Sequence, residues 1–178
     1  MDPYKIIDSY YSDSNELANL LLVHSEAVSN KALSMAQKHR ELSLNEEFIY
    51  EAAMLHDIGI IKTNAPSIHC YGDYPYIAHG YLGADMLREL GLNAHALVCE
   101  RHTGTGLSLS TIKENELPIP LRSMEPVSLE EEIICFADKF FTKSDVNKEL
   151  SVEEARKSLA RFGEKGILRF DKWCKRFL

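Results

Sequence analysis

A chain of 178 residues is long enough for one domain with a sizeable core, and its apolar (45%) and aromatic (9%) content is that of an ordinary globular protein. The formal charge of −7, with Lys and Arg scattered, argues against a polymeric nucleic-acid partner, which needs a clustered positive footprint. A small phosphorylated ligand remains compatible if metal ions supply the positive charge.

The N-terminal MDPYKIIDSYYSDSNE lacks the basic-then-apolar order of a signal peptide, and LANLLLV is too short to span a bilayer. A cytoplasmic protein with no membrane partner is therefore expected. The first strong helical period runs through NELANLLLVHSEAVSNKALSMAQKH, where Leu17, Leu20, Leu21, His24, Val28 and Met35 recur at three- and four-residue steps. Asp13 or Ser14 is placed to cap it. Ser43 and Glu46 have capping-box spacing before a second helix that carries Phe48, Ile49, Ala52, Ala53 and Leu55 up to His56, with Gly59 as its stop. A Pro- and Gly-containing loop follows, TNAPSIHCYGDYPY, then a helix through IAHGYLGADMLREL ending at Gly91.

Asn93 is expected to cap a short helix, AHALVCERH. The stretch from Thr103 to Val127 has three prolines and no steady period, and its length suggests a binding loop or lid over residues 105–127. Ser128 and Glu131 box a helix through EEIICFADKFFTK, Ser151 and Glu154 box EEARKSLARF, and an amphipathic ILRFDKWCKRFL closes the chain. No strand-like alternation, repeat or linker is evident. The expected class is all-α, with one domain over residues 1–178, a core over about 14–145 and helices in 151–178 packed on it. The four cysteines, Cys70, Cys99, Cys135 and Cys174, form no CxxC pair, as expected of buried thiols in a reducing compartment.

Several apolar stripes are interrupted by one imidazole or carboxylate. His24 lies between Leu21 and Val28, His56 follows Ala52 and Ala53, and Asp138 lies four after Ile134. His79 starts the stripe of Leu82, Met86 and Leu90, and His102 lies four after Val98. Asp57 is the sixth such group. Taken singly, His24, His79 and His102 each read as a core residue bonded to a carbonyl, Asp138 as a partner of Lys139 or a cap of a neighbouring element, and the adjacent His56 and Asp57 stand evenly between a structural and a functional reading. Six such explanations together are weaker than one shared metal site, because buried charge and imidazole are costly unless paired or bound to metal. The adjacency of His56 and Asp57 places them ~100° apart on a helix, so an ion held by both lies between them at the helix end, where partial negative charge favours a cation. The mixed imidazole–carboxylate set suits iron, manganese, magnesium or zinc.

In the order H…HD…D, with the local strings LHDIG and FADK, these residues resemble the HD-domain superfamily of metal-dependent phosphohydrolases over roughly residues 17–143. HGYLGA and ERHTGTG resemble the further histidine motifs of its dinuclear members. The GYP string of the cyclic-di-GMP branch is absent, and Ile60 and Ile61 separate HDIG from Lys62 where that branch has lysine directly. The resemblance implies the helical HD bundle and a phosphohydrolase that cleaves a phosphoester or phosphoanhydride of a small nucleotide-like substrate with a metal-activated hydroxide. It assigns one or two divalent ions to His24, His56, Asp57 and Asp138 and to His79 and His102, with Asp57 bridging. Asp57 and Lys62 would act in catalysis, and Arg101, Thr103 and Lys139 in substrate binding. A homodimer is admitted. The alternatives are a single-metal nucleoside 5′-monophosphatase and a non-catalytic, metal-bound nucleotide-sensing module. His95, seven before His102 on the same face, could replace or support it, and His69 could touch substrate. His39 is expected at the surface.

Overall fold

In the computed structural model, which describes residues 1–146 and 148–178, the longest element is the helix of the first period, preceded by a short one that the reading of the sequence leaves unassigned. This first helix, α1 (Pro3–Tyr11), has a start signal in the two residues after Met1: Asp2 caps it by accepting from Lys5 N, and Pro3 occupies the first turn, where no amide is needed. Helix α2 (Asn15–Lys38) is the long element of the first period; Ser14 is its N-cap by backbone only, without a side-chain bond. Helix α3 (Glu46–Leu55) is capped by Asn45, whose side chain accepts from Phe48 N, and not by Ser43. Ser43 instead closes a short 3₁₀ turn at φ 51°.

Gly59 is not the stop of α3, which ends at Leu55; a 3₁₀ turn over Ile58–Lys62 follows Asp57. The next stretch contains strands, against the expectation of none. Strands β1 (Thr63–Ala65), β2 (Cys70–Tyr71) and β3 (Tyr74–Pro75) form a sheet in the order β2-β1-β3. Asn64 pairs antiparallel with Tyr71, and Thr63 pairs parallel with Tyr74. Segments of two and three residues are too short to show alternation.

Helices α4 (His79–Glu89) and α5 (Asn93–Arg101) form a tight pair, with Gly91 at φ 74° in the turn between them and Leu92, not Asn93, at the N-cap. The proline-rich stretch is not wholly irregular: it contains α6 (Leu109–Glu114), capped by Ser108, and a bridge between Leu107 and Met124. Helix α7 (Leu129–Asp138) starts at Ser128, which accepts from Glu131 N, but the Glu131 side chain turns to Val127 N and Arg101, so the box is only half made. Helix α8 (Val152–Ser158) has the complete box of Ser151 and Glu154. Helix α9 (Glu164–Phe177) ends the chain.

Helix α2 packs along α3 and α7, and α3, α4, α5 and α7 gather around the same centre. One apolar cluster joins α2, α3 and α7 to α8 and α9, where Phe136 meets the rings of Phe170, Trp173 and Phe177. A second joins α1, α2, α3, α4 and α5. The polar centre lies between them. The chain is predominantly helical, as expected. No helix among the described residues is long and apolar enough to cross a membrane.

Candidate metal centre

Three helices direct their C-terminal ends to the same point. His56 follows the last residue of α3, His102 the last of α5, and Asp138 is the last of α7. Helix C-termini carry unpaired carbonyls and partial negative charge, which favour a cation. His24 reaches the point from the middle of α2, and His79 from the first turn of α4.

Glycines allow this convergence. A Cβ on Gly59 would lie 2.2 Å from His79 O and 2.4 Å from Gly83 N, and one on Gly83 would lie 2.5 Å from Cys99 Sγ. The glycines of LHDIG and HGYLGA therefore let α4 pass against the 3₁₀ turn and α5 at a distance that admits no side chain. That close passage puts His79 beside Asp57 and His102.

The resulting geometry has two groups that share Asp57. His24, His56, Asp57 and Asp138 form one; Asp57, His79 and His102 form the other; the ligand atoms within each lie within 4.8 Å of one another. Asp57 Oδ2 is 3.1 Å from His24 Nε2 and 3.0 Å from His56 Nε2. Asp57 Oδ1 is 3.5 Å from His79 Nε2 and 3.3 Å from His102 Nε2. Asp138 Oδ1 is 3.1 Å from His24 Nε2 and 3.5 Å from His56 Nε2. All six side chains are buried.

The donor set fits divalent metal. His56, His79 and His102 each donate Nδ1–H to the carbonyl three residues back, at 2.6 Å to Ala53, 2.6 Å to Tyr76 and 2.7 Å to Cys99. A carbonyl only accepts, so Nδ1 carries the proton and Nε2 presents a lone pair inward, the tautomer a metal requires. His79 and His102 point these lone pairs at one another across 3.0 Å. His56 Nε2 and both Asp57 oxygens are buried without a well-directed hydrogen bond. Lone pairs crowded in this way repel unless a cation or proton stands among them.

Titration follows the same logic. Burial pushes His79 down to about 3, assisted by the charge of His102, and burial also lowers His102, so both rings are neutral near pH 7. Burial also disfavours charged His56, but Asp57 and Asp138 outweigh it and raise His56 to about 9. Burial would raise Asp57; Lys143 and the imidazoles reverse this and hold it well below the usual carboxylate range. Asp138 is held low against burial by Lys139, His24 and His56.

The centre opens into a cavity of about 1340 Å³, with His79, His102, Thr103 and Asp138 at its inner end and Lys139, Lys143 and Lys165 among its lining groups. Lys139 Nζ lies 2.7 Å from Asp138 Oδ2 and 3.0 Å from His102 O. Two residues expected at the site lie elsewhere. Lys62 is exposed at the end of the 3₁₀ turn and does not line the cavity. Arg101 donates from Nη1 to both oxygens of Glu131, at 3.1 and 2.9 Å, and serves the α5–α7 contact. His95 neither replaces nor supports His102: it bonds Glu51 at 3.3 Å and packs edge-on to Phe48. His69 lies 3.3 Å from Glu16 and shares a smaller pocket with Lys143 but is none of the converging ligands, and His39 lies 3.0 Å from Glu41.

Lys143 is the residue that periodicity missed. Its Nζ lies 2.5 Å from Asp57 Oδ2 and 3.4 Å from His24 Nε2. The expected helix runs through Lys143 and would turn it ~140° from Asp138, but α7 ends at Asp138 and the turn that follows brings the lysine back to the centre. Tyr76 was missed too. Its ring stacks on His79 with centroids 4.7 Å apart, and burial raises its hydroxyl to about 12.

Comparison with known proteins places this centre in context. An uncharacterized protein of Methanocaldococcus jannaschii is 37% identical over 120 residues, 65% of this chain and 62% of that protein. A tRNA (cytidine(56)-2′-O)-methyltransferase of Picrophilus torridus is 29% identical over 126 residues, 70% of this chain but 32% of the enzyme. The chain thus spans less than two thirds of the first and about one third of the second. No solved structure matches. The pattern of the HD domain matches residues 21–143, a stretch that contains all six converging ligands, and the chain belongs to the HD domain family.

Proposed function

We propose that the protein is a metal-dependent phosphohydrolase that cleaves a phosphoester or phosphoanhydride bond of a small nucleotide-like substrate. The observation that carries this reading is the pair of ligand groups joined through Asp57 at the inner end of a large cavity with lysines along its lining. His24, His56, Asp57 and Asp138 would hold one divalent ion, and Asp57, His79 and His102 a second. Such ions, when bound, make a coordinated water more acidic and offset charge on a phosphate. The protein's own part is to aim six ligands, keep His79 and His102 neutral by burial, and orient the phosphate with Lys139 and Thr103 at the cavity's inner end. A volume of about 1340 Å³ is ample for a nucleotide.

The name of the Picrophilus relative concerns methyl transfer to tRNA, and the matched third of that enzyme supports no methyltransferase reading of this chain. The test is a phosphate-release screen across nucleotides, dinucleoside polyphosphates and cyclic dinucleotides with iron, manganese, magnesium or zinc. Turnover in at least one metal is expected, with two equivalents of metal per chain. One equivalent with turnover of nucleoside monophosphates alone would favour the single-metal monophosphatase. Binding without turnover would favour a sensing module. Asp57→Ala is expected to abolish both metal content and turnover; full activity in that variant would remove the mechanism.

A further inference from the structure

Two lysines reach the carboxylates of the centre, and they do so differently. Lys139 approaches Asp138 at Oδ2, the oxygen turned away from the imidazoles, and a second contact to His102 O pins it. Lys143 approaches Asp57 at Oδ2, the same oxygen that lies 3.1 Å from His24 Nε2 and 3.0 Å from His56 Nε2. A divalent ion held by that oxygen and those two rings would be in contact with the ammonium. Two cations at such separation repel strongly in a buried site. Lys139 can stay when an ion binds; Lys143 cannot.

Lys143 also has a stem and a space that allow it to move. It has a flexible four-carbon stem and sits in a turn bracketed by a bridge between Thr142 and Asp145, outside any helix. It lines the cavity, so its head has a solvated, phosphate-sized space to enter.

We propose that Lys143 is an internal stand-in for the ion: its ammonium neutralises Asp57 while the four-ligand group lacks metal, and metal binding displaces it into the cavity, where it contacts substrate phosphate. This rests on the metal-centre reading above and adds an order of events to it. Metal loading frees the lysine, so the site acquires its phosphate-binding cation only when it holds the ions needed for hydrolysis.

The test is calorimetric titration of Mn²⁺ into metal-stripped protein, followed by titration of inorganic phosphate into the Mn²⁺-loaded form. Lys143→Met is expected to bind Mn²⁺ about tenfold more tightly than the native chain and, once loaded, to bind phosphate about tenfold more weakly, the effect of one charge-assisted contact. Lys139→Met should show no gain in Mn²⁺ affinity. Equal or weaker Mn²⁺ binding in Lys143→Met overturns the stand-in role. A native chain that binds no divalent ion overturns the metal centre itself and this inference with it. A second measurement needs no variant: amine acetylation of the native protein, read by mass spectrometry. Labelling of Lys143 should rise on Mn²⁺ addition and fall again with phosphate, and labelling indifferent to Mn²⁺ overturns the displacement.

Discussion

His56 is the residue at which proton and metal compete most directly. Its ring is fully buried between two carboxylates, and they raise it to about 9 despite that burial. Near neutral pH the metal-free centre therefore holds a proton there, and an ion must release it. Divalent-metal affinity should rise with pH and level off above about 9, with proton release visible as a buffer-dependent binding enthalpy. The same group links stability to pH. A pKa raised from 6.5 to about 9 contributes stability that is complete below 6.5 and lost as pH climbs through 9, on the order of 3 kcal/mol. Asp57 and Asp138, held low, contribute in the opposite sense: their share is present above the ordinary carboxylate range and fades in acid. Metal-stripped protein should thus lose thermal stability on both flanks, and saturating metal should flatten the alkaline one in a pH series of melting curves. His24 and Asp138 were legible in the sequence because they interrupt apolar helical stripes, His79 and His102 because they stand at the ends of such stripes, and Asp57 because it adjoins His56 where an apolar helix closes. Lys143 was not, because the expected helix continued through it, whereas α7 ends at Asp138.

At the scale of elements, the crossing of α4 over the 3₁₀ turn depends on glycines. Gly83→Ala would place a methyl against Cys99 Sγ and the backbone of Gly59. The expected outcome is a loss of about 1–3 kcal/mol from overpacking and displacement of α4 with His79. On the two-ion reading proposed above, metal content should fall from two equivalents towards one, because none of His24, His56, Asp57 and Asp138 lies on α4. Elemental analysis beside a denaturation curve checks both. The Ser151 capping box offers a contrast: Ser151→Ala should cost about 1 kcal/mol with metal content unchanged, since α8 carries no ligand. Helices α2 to α5 and α7 were readable from their 3.6-residue period, whereas the strands around Thr63 and Tyr74 were not. Strands of two or three residues carry too few positions for a two-residue period to register, even though their partners lie within a dozen residues. Helix α1 went unread although Pro3, Ile7 and Tyr11 recur at four-residue steps on its buried face, because nine residues give that period only two repeats.

Across the whole molecule, the centre is a polar seam between two apolar clusters, and the C-terminal helix is bound to one of them by aromatic rings, with Arg176–Glu132 and Arg156–Asp171 ion pairs at its surface. Trp173 is buried against Phe136 on α7, the helix that ends in Asp138. Trp173→Ala should cost about 3–5 kcal/mol in urea unfolding, the usual range for a buried aromatic. Beyond that, His24 and Asp138 face each other across 114 residues of chain. An ion gripped by both is a reversible staple across most of the polypeptide, and it ties folding to the surrounding concentration of free metal. At a hundredfold excess over its dissociation constant such an ion adds about 2.7 kcal/mol. The melting temperature of this protein would then act as a gauge of metal supply, and a chelator would loosen both halves of the fold together.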